Sequence, residues 1–150
     1  MNTELAHLYD QDFNLWLEQT VSLLEKGELH HLDVKNLLEE LRDMGRNTKR
    51  EVLSRLKALL LHLLKWKYQP QKRTASWAST IDEQRDQLQL ILRDSPSLRP
   101  YLEAFFVECY QKAIRGVVHE TGLSKQTFPL VCPFTVADVL SLDYWPDGEI

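Results

Sequence analysis

The sequence predicts an all-α fold: a helical bundle of four main helices, followed by a short C-terminal helix and an irregular tail. Apolar residues recur at three- and four-residue steps along most of the chain, and no stretch alternates apolar and polar residues as a half-buried strand does. Only five of the 150 residues are glycine. At this length we expect a single helical domain over residues 1–150, with its core at about residues 9–143.

The first predicted helix has one apolar face and a clear end. Asp10 or Asp12 can cap its exposed amides, and Gly27 supplies its C-terminal stop. The apolar face consists of Tyr9, Phe13, Trp16, Leu17, Thr20 and Leu24.

The second predicted helix is long and begins after Asp33, a favourable N-cap. Its apolar positions keep helical phase over more than thirty residues. Gly45 lies inside it and costs about 1 kcal/mol in a helix interior, so a kink or a junction of two helices is possible there. The apolar positions are Val34, Leu37, Leu38, Leu41, Gly45, Thr48, Val52, Leu56, Leu59, Leu63 and Trp66.

Pro70 ends the long helix, and a polar, basic connection leads to a third helix that begins near Ser76 or Thr80. Thr80 with Glu83 fits a capping box. The apolar face of this helix consists of Ile81, Leu88, Ile91 and Leu92.

A fourth helix is predicted from Leu98 to Val117, and Gly122 lies where its C-terminal cap belongs. A short helix follows from Thr135, supported by Asp138. The apolar face of the fourth helix consists of Leu98, Leu102, Phe105, Cys109, Ala113 and Val117.

Composition limits the location of the chain and its cysteine chemistry. The longest strongly apolar stretch, residues 58–64, is too short to span a bilayer, and the acidic start at residues 1–4 lacks the regions of a signal peptide. We therefore expect a cytoplasmic protein that does not enter membranes. Cys109 and Cys132 lack the close spacing of a zinc site or redox pair, and we expect Cys109 to be a small buried apolar residue.

Charge is distributed unevenly although the net charge is only −4. Residues 42–81 contain ten Lys or Arg and two acids, a net charge of +8 that leaves −12 for the remainder. The C-terminus carries only acidic charges, at Asp138, Asp143, Asp147 and Glu149. The basic segment and the acidic C-terminus can therefore attract each other within one molecule.

Short motifs along the chain resemble, in order, those of the bacterial, mainly cyanobacterial, domain-of-unknown-function family twenty-nine. They are Tyr9-Asp10-Gln11-Asp12-Phe13, Leu15-Trp16-Leu17-Glu18-Gln19-Thr20, Glu39-Glu40-Leu41, Met44-Gly45-Arg46, Leu61-His62-Leu63-Leu64-Lys65-Trp66, Tyr68-Gln69-Pro70, Ser76-Trp77, Glu83-Gln84-Arg85, Asp94-Ser95-Pro96-Ser97-Leu98 and Glu120-Thr121-Gly122-Leu123. The resemblance spans about residues 9–143. It implies an all-helical fold in a bacterial cytoplasm, and it implies no catalytic residues because the family is uncharacterised.

The sequence contains few features of a metal site. A di-metal bundle site uses two Glu-x-x-His pairs that project inward, whereas Glu28 and His31, which have that spacing, lie in an expected loop. His62 lies within the apolar run 59–64 and must find a hydrogen-bond partner or point outward. The carboxylates that could join it at a metal are Glu39, Glu40, Glu83 and Glu103. We favour a histidine satisfied by a carboxylate such as Glu39 or by backbone, and we expect no metal and no cofactor.

A segment that interleaves cations and aromatics is the candidate binding site. This pattern suits phosphate contacts combined with base stacking on a single nucleic-acid strand. A solvated or internally paired face with buried aromatics explains the same residues. The candidate residues are His62, Lys65, Trp66, Lys67, Tyr68, Lys72, Arg73 and Trp77.

Three functional hypotheses follow from these patterns. The first is a non-enzymatic protein–protein interaction module that binds an unidentified protein or a copy of itself through exposed aromatics, notably Tyr144 and Trp145. The second is nucleic-acid binding through residues 42–77. The third is a metal-dependent enzyme that uses His62 and helix carboxylates.

Overall fold

The computed structural model describes residues 3–147, and within that range every regular element is helical. The prediction of an all-α fold is therefore confirmed. The helices are α1 (Thr3–Gln11), α2 (Phe13–Glu25), α3 (Val34–Tyr68), α4 (Ala75–Asp94), α5 (Leu98–Ala104), α6 (Phe106–Thr121) and α7 (Val136–Leu140). Short 3-10 turns occur at Leu29–His31, Pro70–Lys72 and Lys125–Thr127.

The chain divides into two compact units. Unit 1 is Met1–Thr48 and contains α1, α2 and the first part of α3; unit 2 is Lys49–Ile150 and contains the rest of α3 and the later helices. That residues 1–150 fold cooperatively as one domain stays a prediction.

Unit 1 begins with two helices where the sequence predicted one. The break is at Asp12, whose side chain accepts a hydrogen bond from the Leu15 amide at 3.0 Å and so caps α2. The apolar period runs across this break because only one residue leaves helical geometry. Gly27, with a φ of +72°, follows the end of α2 as predicted.

Trp16 and Asp33 connect α2 to the start of α3. The Trp16 side chain is fully buried, and its indole Nε1 donates to Asp33 Oδ2 at 3.1 Å. The Asp33 carboxylate also accepts a hydrogen bond from the backbone amide of Asn36 at 3.4 Å, which confirms its predicted role as the cap of α3. Nearby, the Tyr9 hydroxyl donates to Glu40 Oε1 at 2.5 Å, and this hydrogen bond raises the pKa of Tyr9 to about 12.

Helix α3 runs for 35 residues and passes Gly45 without interruption, so the possible junction of two helices there did not occur. Its second part supplies much of the core of unit 2. The buried residues of α3 are Val52, Leu56, Leu59, Leu60, Leu61, Leu63, Leu64 and Trp66.

Helix α4 begins at Ala75, next to Ser76, the first of the two predicted starts, whereas the start of α6 was not predicted. Helix α4 is capped by Thr74, which accepts from the Trp77 amide at 3.1 Å. The predicted capping box at Thr80 is wrong, because the Thr80 hydroxyl donates inside the helix to the Ser76 carbonyl at 3.0 Å. The predicted fourth helix is two helices separated at Phe105. Hydrogen bonds between residues four apart continue across Phe105, which preserves the apolar period that suggested one helix.

The other predicted caps in unit 2 are confirmed. Gly122 ends α6 in the left-handed conformation at a φ of +72°, and Thr135 caps α7 by accepting from the Asp138 amide at 3.1 Å. Gly116 marks a close helix contact, since an added Cβ would lie 2.6 Å from Leu61 Cδ1. Cys109 is buried as expected.

Trp16 and Trp66 are buried in units 1 and 2, respectively. We predict that Trp16→Ala and Trp66→Ala each reduce the free energy of unfolding by roughly 3–5 kcal/mol, because each leaves a large cavity. Urea denaturation followed by circular dichroism measures this. Leu130→Ala is the control, since Leu130 is 96% exposed and its truncation removes little buried surface. Equal losses for all three variants would contradict the assignment of the tryptophans to the core.

Candidate functional site

The basic aromatic tract, residues 62–77, lies at the end of α3 and the start of α4. Lys65 is held within the chain: its Nζ lies 3.0 Å from Glu120 Oε2 and 4.6 Å from the centroid of the Trp77 ring. Trp77 itself is half-buried. The first cation of the tract is thus engaged by an acid and an aromatic ring of unit 2.

The same tract also contacts the C-terminal segment, at Pro146 and Asp147. Lys67 Nζ lies 3.3 Å from Asp147 Oδ2. Arg73 donates from Nε to the Trp66 carbonyl at 2.9 Å and from Nη2 to the Pro146 carbonyl at 3.2 Å. The predicted attraction between the basic segment and the acidic C-terminus is therefore confirmed at Asp147. Glu149 lies outside the described residues.

Two arginines and two tryptophans follow one another in a column, in which the two tryptophan rings are tilted by 48°. The Arg73 guanidinium lies 5.1 Å from the Trp66 ring centroid, the Trp66 and Trp145 rings are 4.8 Å apart, and the Arg85 guanidinium lies 5.5 Å from the Trp145 ring centroid. Trp66 is only 1% exposed, so in this conformation its ring offers no accessible surface on which a base could stack. Cation–π contacts at such desolvated positions are stronger than at exposed ones.

The aromatics near the C-terminus are not the exposed surface that the sequence suggested. Tyr144 and Trp145 are half-buried and pack against the core of unit 2. Tyr68, another residue of the tract, packs edge-on against Phe128 with ring centroids 5.1 Å apart. Burial raises the pKa of both tyrosine hydroxyls. These aromatics stabilise unit 2.

Arg85 is a residue that sequence reasoning missed. It is fully buried and donates from Nε to the Val139 carbonyl at 2.8 Å and from Nη2 to the Asp138 carbonyl at 3.2 Å, at the C-terminal end of α7. Burial lowers the pKa of its guanidinium. The available signal was its position, because it lies on the apolar face of α4 between Ile81 and Leu88. Arg85 therefore fixes α7 to α4.

Lys72 is the exposed cation of the tract. Within residues 3–147 no ion-pair partner lies near it, in contrast to Lys65 and Lys67. A nucleic acid would meet Lys72 in its present position, whereas the engaged cations would first have to leave their partners.

His62 is satisfied by backbone, the interpretation that we favoured. Its Nδ1 lies 2.9 Å from the Ala58 carbonyl oxygen, so Nδ1 carries the proton in this contact. Across the described part of the chain, no three His, Cys, Asp or Glu side chains are grouped as metal ligands would be. Burial raises the pKa of the Cys132 thiol to about 11, which keeps it protonated at neutral pH.

A groove of about 840 Å³ between α6 and the segment after it was not indicated by the sequence. Lys112, Arg115 and Lys125 lie along it and make its rim basic. Beside it, the Tyr110 hydroxyl donates to the Pro129 carbonyl at 2.6 Å and fixes the loop that carries the exposed Leu130.

Unit 1 presents a surface that we name the apolar face. It has two stripes, one on α2 and one on α3. The α2 stripe is Phe13 (41% exposed), Leu17 (40%), Val21 (50%) and Leu24 (45%), and the α3 stripe is Val34 (61%), Leu38 (44%) and Leu41 (57%).

The α3 stripe follows a helical face that is covered further along the helix. From Val34, steps of three and four residues lead through Gly45 and Thr48 to Val52, and then to Leu56. Val52 and Leu56 are fully buried in unit 2, whereas Val34 is 61% exposed. One face of one helix is thus buried over its second part and largely uncovered over its first.

The model of the family described as "Domain of unknown function DUF29" matches residues 8–145. The chain belongs to the DUF29 family. Neither the comparison with curated proteins nor that with solved structures gives a significant match. The DUF29 match covers α2 to α7 completely, so the matched part of this chain includes both the tract and the apolar face.

No helix within the described range of this DUF29 chain is long and apolar enough to cross a membrane.

The hydrogen bonds of Arg73 to the carbonyls of Trp66 and Pro146 lead to a prediction for Arg73 and its neighbour Lys72. Arg73→Ala should reduce the free energy of unfolding by roughly 1.5–3 kcal/mol, because two hydrogen bonds from a charged donor are lost. It should also increase amide hydrogen exchange in residues 136–147. Lys72→Ala is the matched control, and we expect its effect to stay within about 0.5 kcal/mol because Lys72 is exposed. Identical exchange in both variants would contradict the role of Arg73.

Nucleic-acid binding through residues 42–77 stays a prediction, and the geometry sharpens its test. If the tract binds a labelled single-stranded oligonucleotide at low salt, Lys72→Glu should weaken binding and reduce its salt dependence. Fluorescence anisotropy over a salt series measures both effects. Lys112→Glu, an exposed cation outside the tract, is the control. Absence of binding by the wild type at low salt would remove this hypothesis.

Proposed function

We propose that this DUF29 chain is a non-enzymatic protein–protein interaction module that packs the apolar face of unit 1 against helices of a partner protein. The observation that supports it is that one face of α3 is buried in unit 2 but largely uncovered in unit 1, where it forms the α3 stripe. Along each stripe the exposed apolar residues are one helical turn apart, and apolar patches of this kind mark interaction sites in soluble proteins. Such a face binds through shape and hydrophobic burial and needs no catalytic group.

Helical partners suit this face because its geometry is helical. Its residues stand three and four positions apart on both α2 and α3, the spacing by which side chains of one helix fit between those of another. A partner that supplies one or two amphipathic helices can therefore extend the packing that unit 2 already shows along α3. We place this interaction in the cytoplasm, in line with the sequence analysis.

The free energy gained by burying the apolar face is sufficient for association but not large. The seven residues of the face are about half exposed, and covering each of them fully contributes roughly 1 kcal/mol, on the order of 7 kcal/mol together. Association costs about 4–15 kcal/mol in lost translational and rotational freedom. Hydrophobic burial thus offsets the lower part of this range, and charged residues beside the face have to contribute the remainder.

The other two hypotheses of the sequence analysis stay predictions. Lys65, Lys67 and Arg73 are engaged within unit 2, and His62 is bonded to backbone. Neither arrangement favours nucleic-acid binding or metal-dependent catalysis over the interaction module.

The proposal predicts that Leu38→Asp with Leu41→Asp abolishes the complexes that this chain forms, because two charges in the middle of the apolar face cannot be buried without a large cost. The immobilised protein is exposed to lysate of its host, and retained proteins are quantified by mass spectrometry. Leu90→Asp is the matched control, since Leu90 on α4 is 43% exposed and lies outside the face. Circular dichroism verifies that all variants keep their helix content.

The expected result is loss of specific retention in the double variant and its persistence in the Leu90→Asp control. Retention that is unchanged in the double variant, for every protein recovered, would refute the assignment of this surface.

A further inference from the structure

The two stripes of the apolar face share one pattern with opposite charges. In α2, residues 17–25 place apolar side chains at Leu17, Val21 and Leu24, and an acid directly after the first and the last of them. In α3, residues 34–42 place Val34, Leu38 and Leu41 at the same spacing, with a base in each corresponding position. The acids are Glu18 and Glu25, and the bases are Lys35 and Arg42.

We propose that the partner of the apolar face is a second copy of this chain, in a two-fold dimer in which α2 of each copy packs antiparallel to α3 of the other. This inference rests on the proposed function and identifies the partner. A two-fold axis repeats the α2–α3 contact twice, so that both stripes of both copies are covered. The result is a cluster of four helices formed by two units 1.

The antiparallel direction follows from the position of the charges. A residue directly after an apolar position lies about 100° further round the helix, so all four charged residues occupy the same margin of their stripes. When two helices pack antiparallel, equivalent margins meet on the same side of the contact, whereas in a parallel pair they lie on opposite sides. The antiparallel pair therefore brings the acidic margin beside the basic one.

The equal spacing also sets the register. Glu18 lies beside Arg42 of the second copy, and Glu25 beside Lys35 of the second copy, with Leu17, Val21 and Leu24 facing the α3 stripe in reverse order. All four charged side chains are exposed and so are accessible to another molecule. The local contacts of Arg42 and Glu18 are weak: Arg42 lies 3.9 Å from Glu39, and Glu18 accepts from Asn14 at 3.3 Å.

Unit 1 is acidic overall, but the charges that meet in the proposed contact attract each other. Unit 1 carries four Lys or Arg and ten acids, so two copies repel at a distance. One acid, Glu39, follows Leu38 and so lies on the α3 margin between Lys35 and Arg42. In the antiparallel register it lies opposite the uncharged Ser22, and the two ends of the margins still pair acid with base. Opposite charges beside an apolar contact also fix register and partner choice, as they do at the margins of coiled coils.

The test uses two charge-swapped variants. One carries Glu18→Lys and Glu25→Lys, the other Lys35→Glu and Arg42→Glu. Each keeps the apolar face, and each turns all four margin contacts of its own dimer from attraction to repulsion. We expect the dissociation constant of the dimer, measured by sedimentation equilibrium, to rise about tenfold or more for each variant relative to the wild type.

Mixing the two variants is the decisive step. In a mixed dimer the lysines of the first variant meet the glutamates of the second, while the other contact keeps its wild-type pairs. We therefore expect an equimolar mixture to form mixed dimers with a dissociation constant near that of the wild type. Native mass spectrometry distinguishes them if one variant is labelled with ¹⁵N.

The controls separate charge from folding. Glu4→Lys with Asp10→Lys changes the net charge of unit 1 by the same amount as the first swapped variant, but it lies on α1, outside both stripes, and should leave the dimer intact. Circular dichroism verifies the fold. If a swapped variant fails to fold, the neutral variant Glu18→Gln with Glu25→Gln replaces it and should weaken the dimer by a smaller factor.

Three outcomes would overturn the inference: a wild type that stays monomeric at high micromolar concentration, swapped variants that dimerise as well as the wild type, or a mixture that forms no mixed dimers. The proposed function has a different failure. A monomeric wild type whose retention of host proteins still depends on Leu38 and Leu41 would refute the dimer and preserve the interaction module. Retention that does not depend on them would refute the module itself.

Discussion

One constraint governs much of this structure: α3 carries the same apolar face along 35 residues, about 52 Å of helix, and other helices have to supply the residues that bury it. In unit 2 the later helices do this, and Val52, Leu56, Leu59 and Leu63 are completely buried. In unit 1 the chain leaves Val34, Leu38 and Leu41 largely uncovered. The core of unit 2 and the exposed apolar face of unit 1 are thus two consequences of the same periodic pattern.

The sequence predicted the elements whose signals are local and unambiguous. The phase of α3, the cap at Asp33, the αL glycine at Gly122 and the cap at Thr135 were all correct, because side-chain period and capping chemistry act within one turn of helix. Asp12 caps α2, as one of the two predicted alternatives, but the separate helix α1 before it was missed, as was the break at Phe105, for a related reason. A single non-helical residue hardly changes the apolar period.

The candidate site was predicted less well, because its properties depend on contacts distant in sequence. Lys65, Trp66, Lys67 and Arg73 were identified as residues of one tract, but Glu120, Pro146 and Asp147 decide that three of them are engaged within the chain. The buried Arg85 appears in sequence as an ordinary helix cation, and only α7 reveals its carbonyl partners. The apolar face could be identified only from the structure as well. An apolar stripe in the sequence does not show which of its residues other helices bury and which stay exposed.

Gly116 has a consequence for how sequences of this kind can diverge. An added Cβ at that position would lie 2.6 Å from the end of the Leu61 side chain, so even alanine requires Leu61 to adopt another rotamer or to be replaced by a smaller residue. The two positions are 55 residues apart in the chain, yet substitutions at them are not independent. Among relatives that keep this helix contact, positions 61 and 116 should therefore change together, with a larger residue at one accompanied by a smaller residue at the other.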